Sequence, residues 1–165
     1  MKPQFDLIDF LRQLHRRNIR CLLIGRWAVA QHGAPVVTVD YDFWVDPADR
    51  VRLFRLLEVT YDARLPDEEQ WSKPMVTAYV GPDKIDCFSA RKIVNEEGQE
   101  LVFEEVHARS VAKKDPGANL EFRIPSIDDL IALKKFSHQD PTKHARNLED
   151  IRYLLTVKRK GGKKG

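Results

Sequence analysis

The sequence predicts an α/β (α+β) fold, and three observations carry that prediction. Apolar residues at helical spacing alternate with short apolar runs early in the chain, two strand-like runs flank a Gly-Pro turn in the middle, and a capped helix opens a helical C-terminal end. Phe5, Ile8, Leu11 and Leu14 set a first helix over roughly residues 4–18. "RCLLI" reads as a buried strand that stops at Gly25, and "RWAVAQHG" as a short helix closed by Gly33 ahead of Pro35. "VDYDFWV" is the next strand. Asp46-Pro47 then caps a helix whose apolar face is Val51, Leu53, Phe54 and Leu57.

Residues 62–74 carry two prolines and several acids and read as a loop, with Trp71 placed to pin it to the body. "MVTAYV" and "KIDCFSA" flank Gly81-Pro82-Asp83 as an antiparallel hairpin. Residues 95–119 show no clear period and read as a short helix or strand with loops. "LEFRIP" is the last strand, Ser126 and Asp129 have capping-box spacing at the start of "SIDDLIALKKFSH", and a final helix covers about 142–157.

At 165 residues, 42% apolar and 32% charged, the chain has the size and composition of one folded domain and not of a disordered or fibrous protein. That domain is placed at 1–157. The formal charge of +3 is misleading, because "KRKGGKKG" at 158–165 holds five of the 28 basic residues and leaves 23 against 25 acids in the body. This end reads as a solvated, disordered tail, with non-specific contact to nucleic-acid phosphates as the alternative. No apolar run is long enough to span a bilayer and the N-terminus has no cleavable-signal pattern, so a cytoplasmic protein with no membrane contact is expected. Cys21 and Cys87 lie in apolar runs without a C-x-x-C pair and read as reduced packing residues. The five histidines show no zinc spacing, and Trp27 and Trp44 read as packing residues.

Chemistry gathers around "TVDYDFWV". On a strand, alternate side chains share a face, so Asp40 and Asp42 point the same way. Two carboxylates side by side repel each other, and a divalent cation with oxygen ligands such as Mg²⁺ relieves the repulsion; solvated turn formers at a strand end are the plain alternative. In "KIDCF", Asp86 alternates with Ile85 and Cys87 and so faces away from the core, on a strand able to lie beside that of Asp42. Three carboxylates on neighbouring strands can hold two Mg²⁺ ions around a triphosphate. The alternative for Asp86 is a salt bridge with Lys84. Gly25, between a strand and a helix, either forms an anion-binding turn or is simply a tight turn.

A strand, a Gly turn and helix, D-x-D after a short gap, and an acid on a later strand together resemble the nucleotidyltransferase superfamily that shares its fold with DNA polymerase beta. The match runs over about residues 20–155, through "LLIGRWAVAQHG", "TVDYDFWV" and "KIDCFSA". It implies a mixed sheet flanked by helices and a Mg²⁺-dependent transfer of a nucleoside monophosphate from an NTP such as ATP to an acceptor hydroxyl or phosphate. By resemblance, Asp40, Asp42 and Asp86 are the catalytic metal ligands, with Asp86 alternatively the base, and Gly25, Arg26 and Lys134 bind nucleotide. The acceptor (RNA, protein or small molecule) is left open, its choice residing in loops such as 62–74.

"DLIALKKF" and "KHARNLEDIRYLL" are similar to the family's closing helices, with Lys134 as the lysine and Asp150 as the last acid. Lys134 prolongs an apolar stripe and so points into the domain, or else packs its stem and reaches water with its ammonium. Asp150 is expected to pair with Arg146 at i,i+4. Three positions depart from the pattern: Arg26 replaces a small residue, Val36-Val37 stand where relatives often carry arginine, and Asn147 replaces an acid. The Arg26 guanidinium either supplies a phosphate contact or fills the pocket. The rival expectation is a catalytically inactive relative acting as a binding or regulatory module, with an antitoxin-type partner.

Overall fold

The computed structural model describes residues 4–35, 38–136 and 141–162; Val36 and Val37 lie outside the described residues. In chain order the elements are α1 (Leu7–Arg16), β1 (Cys21–Ile24), α2 (Gly25–Gln31), β2 (Tyr41–Val45), α3 (Arg50–Tyr61), β3 (Met75–Val80), β4 (Asp83–Phe88), β5 (Lys92–Val94), β6 (Glu100–Val102), α4 (Phe103–Ala108), β7 (Val111–Asp115), β8 (Leu120–Ile124), α5 (Ile127–Phe136) and α6 (Pro141–Gly162). Six strands form one sheet in the order β3-β4-β2-β1-β8-β7, and β5 pairs with β6 separately. β1 runs parallel to β8 and β2 parallel to β4, while the other neighbours are antiparallel, so the sheet is mixed.

Alternation along the strands separates two apolar layers. Leu23, Phe43, Val45, Ile85 and Cys87 pack with Phe10 and Leu14 of α1 and with Leu53 and Phe54 of α3. Leu22 and Trp44, one residue out of step, face the other way and meet Leu101, Phe103 and Val106. Trp44 is fully buried and its indole donates to the Ala90 carbonyl at 2.8 Å. Both cysteines are free thiols, and burial pushes each well above its ordinary pKa, which fits packing residues.

The expected elements appear with local changes. The Asp46 carboxylate accepts from the Ala48 amide, as a cap should, but a 3₁₀ turn over Pro47–Asp49 precedes α3. Trp71 is buried and donates to the Pro66 carbonyl, so it does pin the loop. Ser126 Oγ accepts from the Asp129 amide at 3.1 Å at the start of α5. Segment 95–119 holds β6, α4 and β7, and α6 continues to Gly162 instead of ending near 157. No helix among the described residues is long and apolar enough to cross a membrane.

Two histidines link this packing to pH. His32 Nε2 lies 3.0 Å from the Pro125 carbonyl, and burial lowers the pKa of His32. Burial, aided by the positive charge of Arg20 and Arg123, does the same for His107. Both rings accept a proton less readily in the fold than in the unfolded chain, where histidine titrates at about pH 6.5. Stability is therefore full above that value and declines as pH falls below it. Thermal unfolding should show a midpoint that drops between pH 7 and 5.5 (values on the order of the histidine range), and the double variant H32Q/H107Q should flatten the drop.

Candidate active site

The register of four strands builds the site. Ile24 of β1 stands opposite Asp42 of β2, Asp42 opposite Asp86 of β4, and Asp86 opposite Thr77 of β3. Partners on adjacent strands lie about 5 Å apart with side chains on one face, so the Asp42 and Asp86 carboxylates are neighbours. Thr77 Oγ1 donates to Asp86 Oδ1 at 2.6 Å, and Lys84 Nζ stands 3.6 Å from Oδ2. The salt bridge with Lys84 is thus present without removing Asp86 from the site.

Gly25 is required at the end of β1 on two counts. Its φ is +68°, and a Cβ there would lie 2.4 Å from Asp42 Oδ2. The backbone of α2 therefore begins directly against the Asp42 carboxylate.

Asp40 departs from the expected pattern. β2 starts at Tyr41, so Asp40 precedes the strand, exposed, with its amide donating to Thr38 Oγ1 at 3.1 Å. A Ser/Thr hydroxyl that captures a nearby backbone amide competes with the strand ladder, which explains the late start. Asp40, Asp42 and Asp86 all line one cavity of about 340 Å³. Among the described residues, however, no three His, Cys, Asp or Glu side chains close into a metal-holding group. The pair in direct register is Asp42 and Asp86. Their donors are carboxylate oxygens only, and that donor set fits Mg²⁺.

Cations from the helices face these acids. Arg26, Lys134 and Arg146 line the same cavity, with Asn147 beside them. Lys134 is largely buried and points into the domain at the cavity wall. Asp150 corrects the expected pairing with Arg146. It is fully buried, with Oδ1 at 3.3 Å from Arg26 Nη2 and Oδ2 at 3.1 Å from Lys134 Nζ. Asp150 Oδ2 accepts no directed hydrogen bond among the described residues, so its contact with Lys134 is Coulombic. Arg146, on the exposed side of α6, is left to face the cavity. An i,i+4 pair was a local expectation, and two cations converging from α2 and α5 on a buried carboxylate displaced it.

Sequence reading missed Thr77 and Arg146. Thr77 was findable: a tight turn at Gly81-Pro82 pairs Val80 with Asp83 and hence Thr77 with Asp86. The remaining wall is apolar and includes Met75, Phe88, Ile93, Leu133 and Phe136. Phe88 and Met75 occupy the next same-face row below Asp86 and Thr77. Trp27 stacks on Tyr41 with centroids 5.9 Å apart, which makes it a packing residue as expected.

No protein-family profile and no curated protein matches the chain. Solved structures do. ANT(2″)-Ia in complex with adenylyl-2″-tobramycin is 17% identical, over 89% of this chain and 84% of that one, with a TM-score of 0.62. The lincosamide antibiotic adenylyltransferase LnuA with lincomycin bound is 15% identical over 94% and 99%, with a TM-score of 0.64. An antigenic nucleotidyltransferase-like protein from Paracoccidioides brasiliensis is 12% identical over 92% and 74%, with a TM-score of 0.53. At these identities the likeness is one of fold, and the chain has the fold of the nucleotidyltransferase superfamily.

The Gly25 geometry is directly testable. Gly25→Ala should destabilise the protein by about 1–2 kcal/mol from the left-handed backbone alone, with a further cost from the contact with Asp42. Chemical denaturation of the two proteins measures the difference.

Proposed function

We propose that the protein transfers a nucleoside monophosphate from an NTP to an acceptor hydroxyl, with Mg²⁺ as cofactor. One observation carries the reading: a single cavity bears Asp42 and Asp86 in register on the sheet side and Lys134 and Arg146 on the helix side. That division suits a metal-bound triphosphate, whose anionic oxygens need cations on one flank and whose counter-ions need carboxylates on the other. The fold likeness to two adenylyltransferase-type structures supports the same reaction class.

Asp42 would hold Mg²⁺, joined by Asp40 from the loop before β2, which leaves Asp86 as the base. Bound there, the ion supplies charge neutralisation at the triphosphate and lowers the pKa of an attacking oxygen. Lys134 and Arg146 orient the phosphates. The acceptor oxygen attacks the α-phosphorus, the bond to the β,γ-pyrophosphate breaks, and pyrophosphate leaves with the bonding pair. Asp86 takes the hydroxyl proton on Oδ2, since Oδ1 is committed to the Thr77 hydroxyl. Gly25 keeps the space beside Asp42 free of a side chain.

The apolar row of Met75 and Phe88 adjoins Asp86, with Ile93 and Phe136 nearby on the cavity wall, so an acceptor presenting an apolar surface next to its hydroxyl suits this flank. A small molecule is favoured as acceptor, because the complexes of the two similar structures contain tobramycin and lincomycin moieties.

Two experiments test the reading. Incubation with each labelled NTP, Mg²⁺ and a cell extract should label one acceptor, and Asp42→Ala should reduce that labelling at least ~10³-fold while the far-ultraviolet circular dichroism stays unchanged. Full activity in Asp42→Ala sinks the assignment. Lys134→Met should raise the KM for NTP about tenfold or more, with a smaller change in kcat if the contact serves binding, measured by steady-state kinetics.

A further inference from the structure

We infer that Asp150 is a positioning residue that fixes the Arg26 guanidinium, and with it the Lys134 ammonium, on the helix side of the cavity, in competition with the site carboxylates. The consequence for substrate rests on the nucleotidyl-transfer reading; the side-chain placement does not.

Arg26 follows Gly25 immediately, where there is no room for even a Cβ beside Asp42. An arginine at that point has two sets of carboxylates within reach of its flexible stem. One is Asp40 and Asp42, which line the same cavity. The other is Asp150, from α6, and the structure shows Arg26 Nη2 on its Oδ1 at 3.3 Å. The choice is decided by burial. Asp150 is fully buried, and a buried carboxylate attracts a cation far more strongly than exposed Asp40 does, because water screens little of the field. Arg26 Nε is itself shielded without a hydrogen-bond partner among the described residues, a cost that only a strong contact at the guanidinium end offsets.

Without Asp150, Arg26 turns to Asp40 and Asp42. It then occupies by its own charge the place a divalent cation would take. The same loss takes from the Lys134 ammonium its contact with Asp150 at 3.1 Å. Asp150 thus acts through two other residues. It does not line the cavity, whereas Arg26 and Lys134 do.

The test compares the intact protein with D150N and with R26S/D150N. Phenylglyoxal modification followed by peptide mass spectrometry, with no nucleotide present, reads the Arg26 position. Arg26 should resist in the wild-type protein while exposed Arg146 reacts, and in D150N it should become reactive. Calorimetric titration with each NTP and Mg²⁺ reads the consequence. D150N should weaken binding about tenfold or more and raise the Mg²⁺ needed for it, and R26S/D150N should recover most of the loss. A residue that merely held the fold together would not be rescued by removing a second side chain. Equal reactivity of Arg26 and Arg146 in the wild-type protein overturns the inference, as does a double variant that binds no better than D150N. Should D150N fail to fold, the wild-type labelling and the double variant, which also removes the surplus buried cation, decide on the same terms. Absence of any NTP binding by the wild-type protein would reject the proposed function, while the labelling would still decide the placement of Arg26.

Discussion

The placement of β2 between an antiparallel and a parallel neighbour is the constraint on which the rest depends. Because Ile24, Asp42, Asp86 and Thr77 share one row across β1, β2, β4 and β3, the end of β1, both carboxylates and the threonine hydroxyl share one face of the sheet. A slip of one residue would send Asp42 toward the α1 and α3 layer and Phe43 toward the cavity. Packing forbids it. Phe43 is fully buried against Phe10, and Trp44 against Phe103, so the two apolar layers lock the register from both sides.

That register makes acids on the sheet unavoidable, and the helices answer them. Neighbouring carboxylates at partner positions repel unless something positive lies between or beside them. Lys84 partly meets this for Asp86, and the Thr77 hydroxyl meets it for the other oxygen. The larger compensation stands across the cavity, where α5 contributes Lys134 and α6 contributes Arg146. The two walls carry opposite charge across one cavity, an arrangement that suits a ligand carrying both signs, as a metal-bound phosphate does.

Much of this was legible in the sequence because it is local. Helical spacing in α1 and α3, the Gly81-Pro82 turn and the Ser126 cap each rest on neighbouring residues, and each appears in the structure. So does the outward direction of Asp86, set by buried Ile85 and Cys87 on either side. Segment 95–119 was not legible: β7 shows the burial of an edge strand with polar residues and gains its identity only from pairing with β8. Asp40 was placed on the strand because alternation was extended one residue beyond where the Thr38 hydroxyl had already captured the backbone, yet it lines the same cavity as Asp42. Asp150 misled for a related reason. Its sequence neighbour Arg146 suggested a surface ion pair, while its true partners are Arg26, 124 residues away on α2, and Lys134 on α5.

The departures from the superfamily pattern form one charge arrangement when taken together. Arg26 adds a cation where the pattern has a small neutral residue, and Asn147 removes an acid from the adjoining turn of α6, where it is buried beside the cavity. Each change moves the local charge in the same direction. Asp150 Oδ1 faces Arg26 and its Oδ2 faces Lys134, so two cations share this buried carboxylate. The contact with Asp150 places the Arg26 guanidinium with Lys134 on the helix side of the cavity, and this is the physical reason to read it as part of that wall and not as a plug.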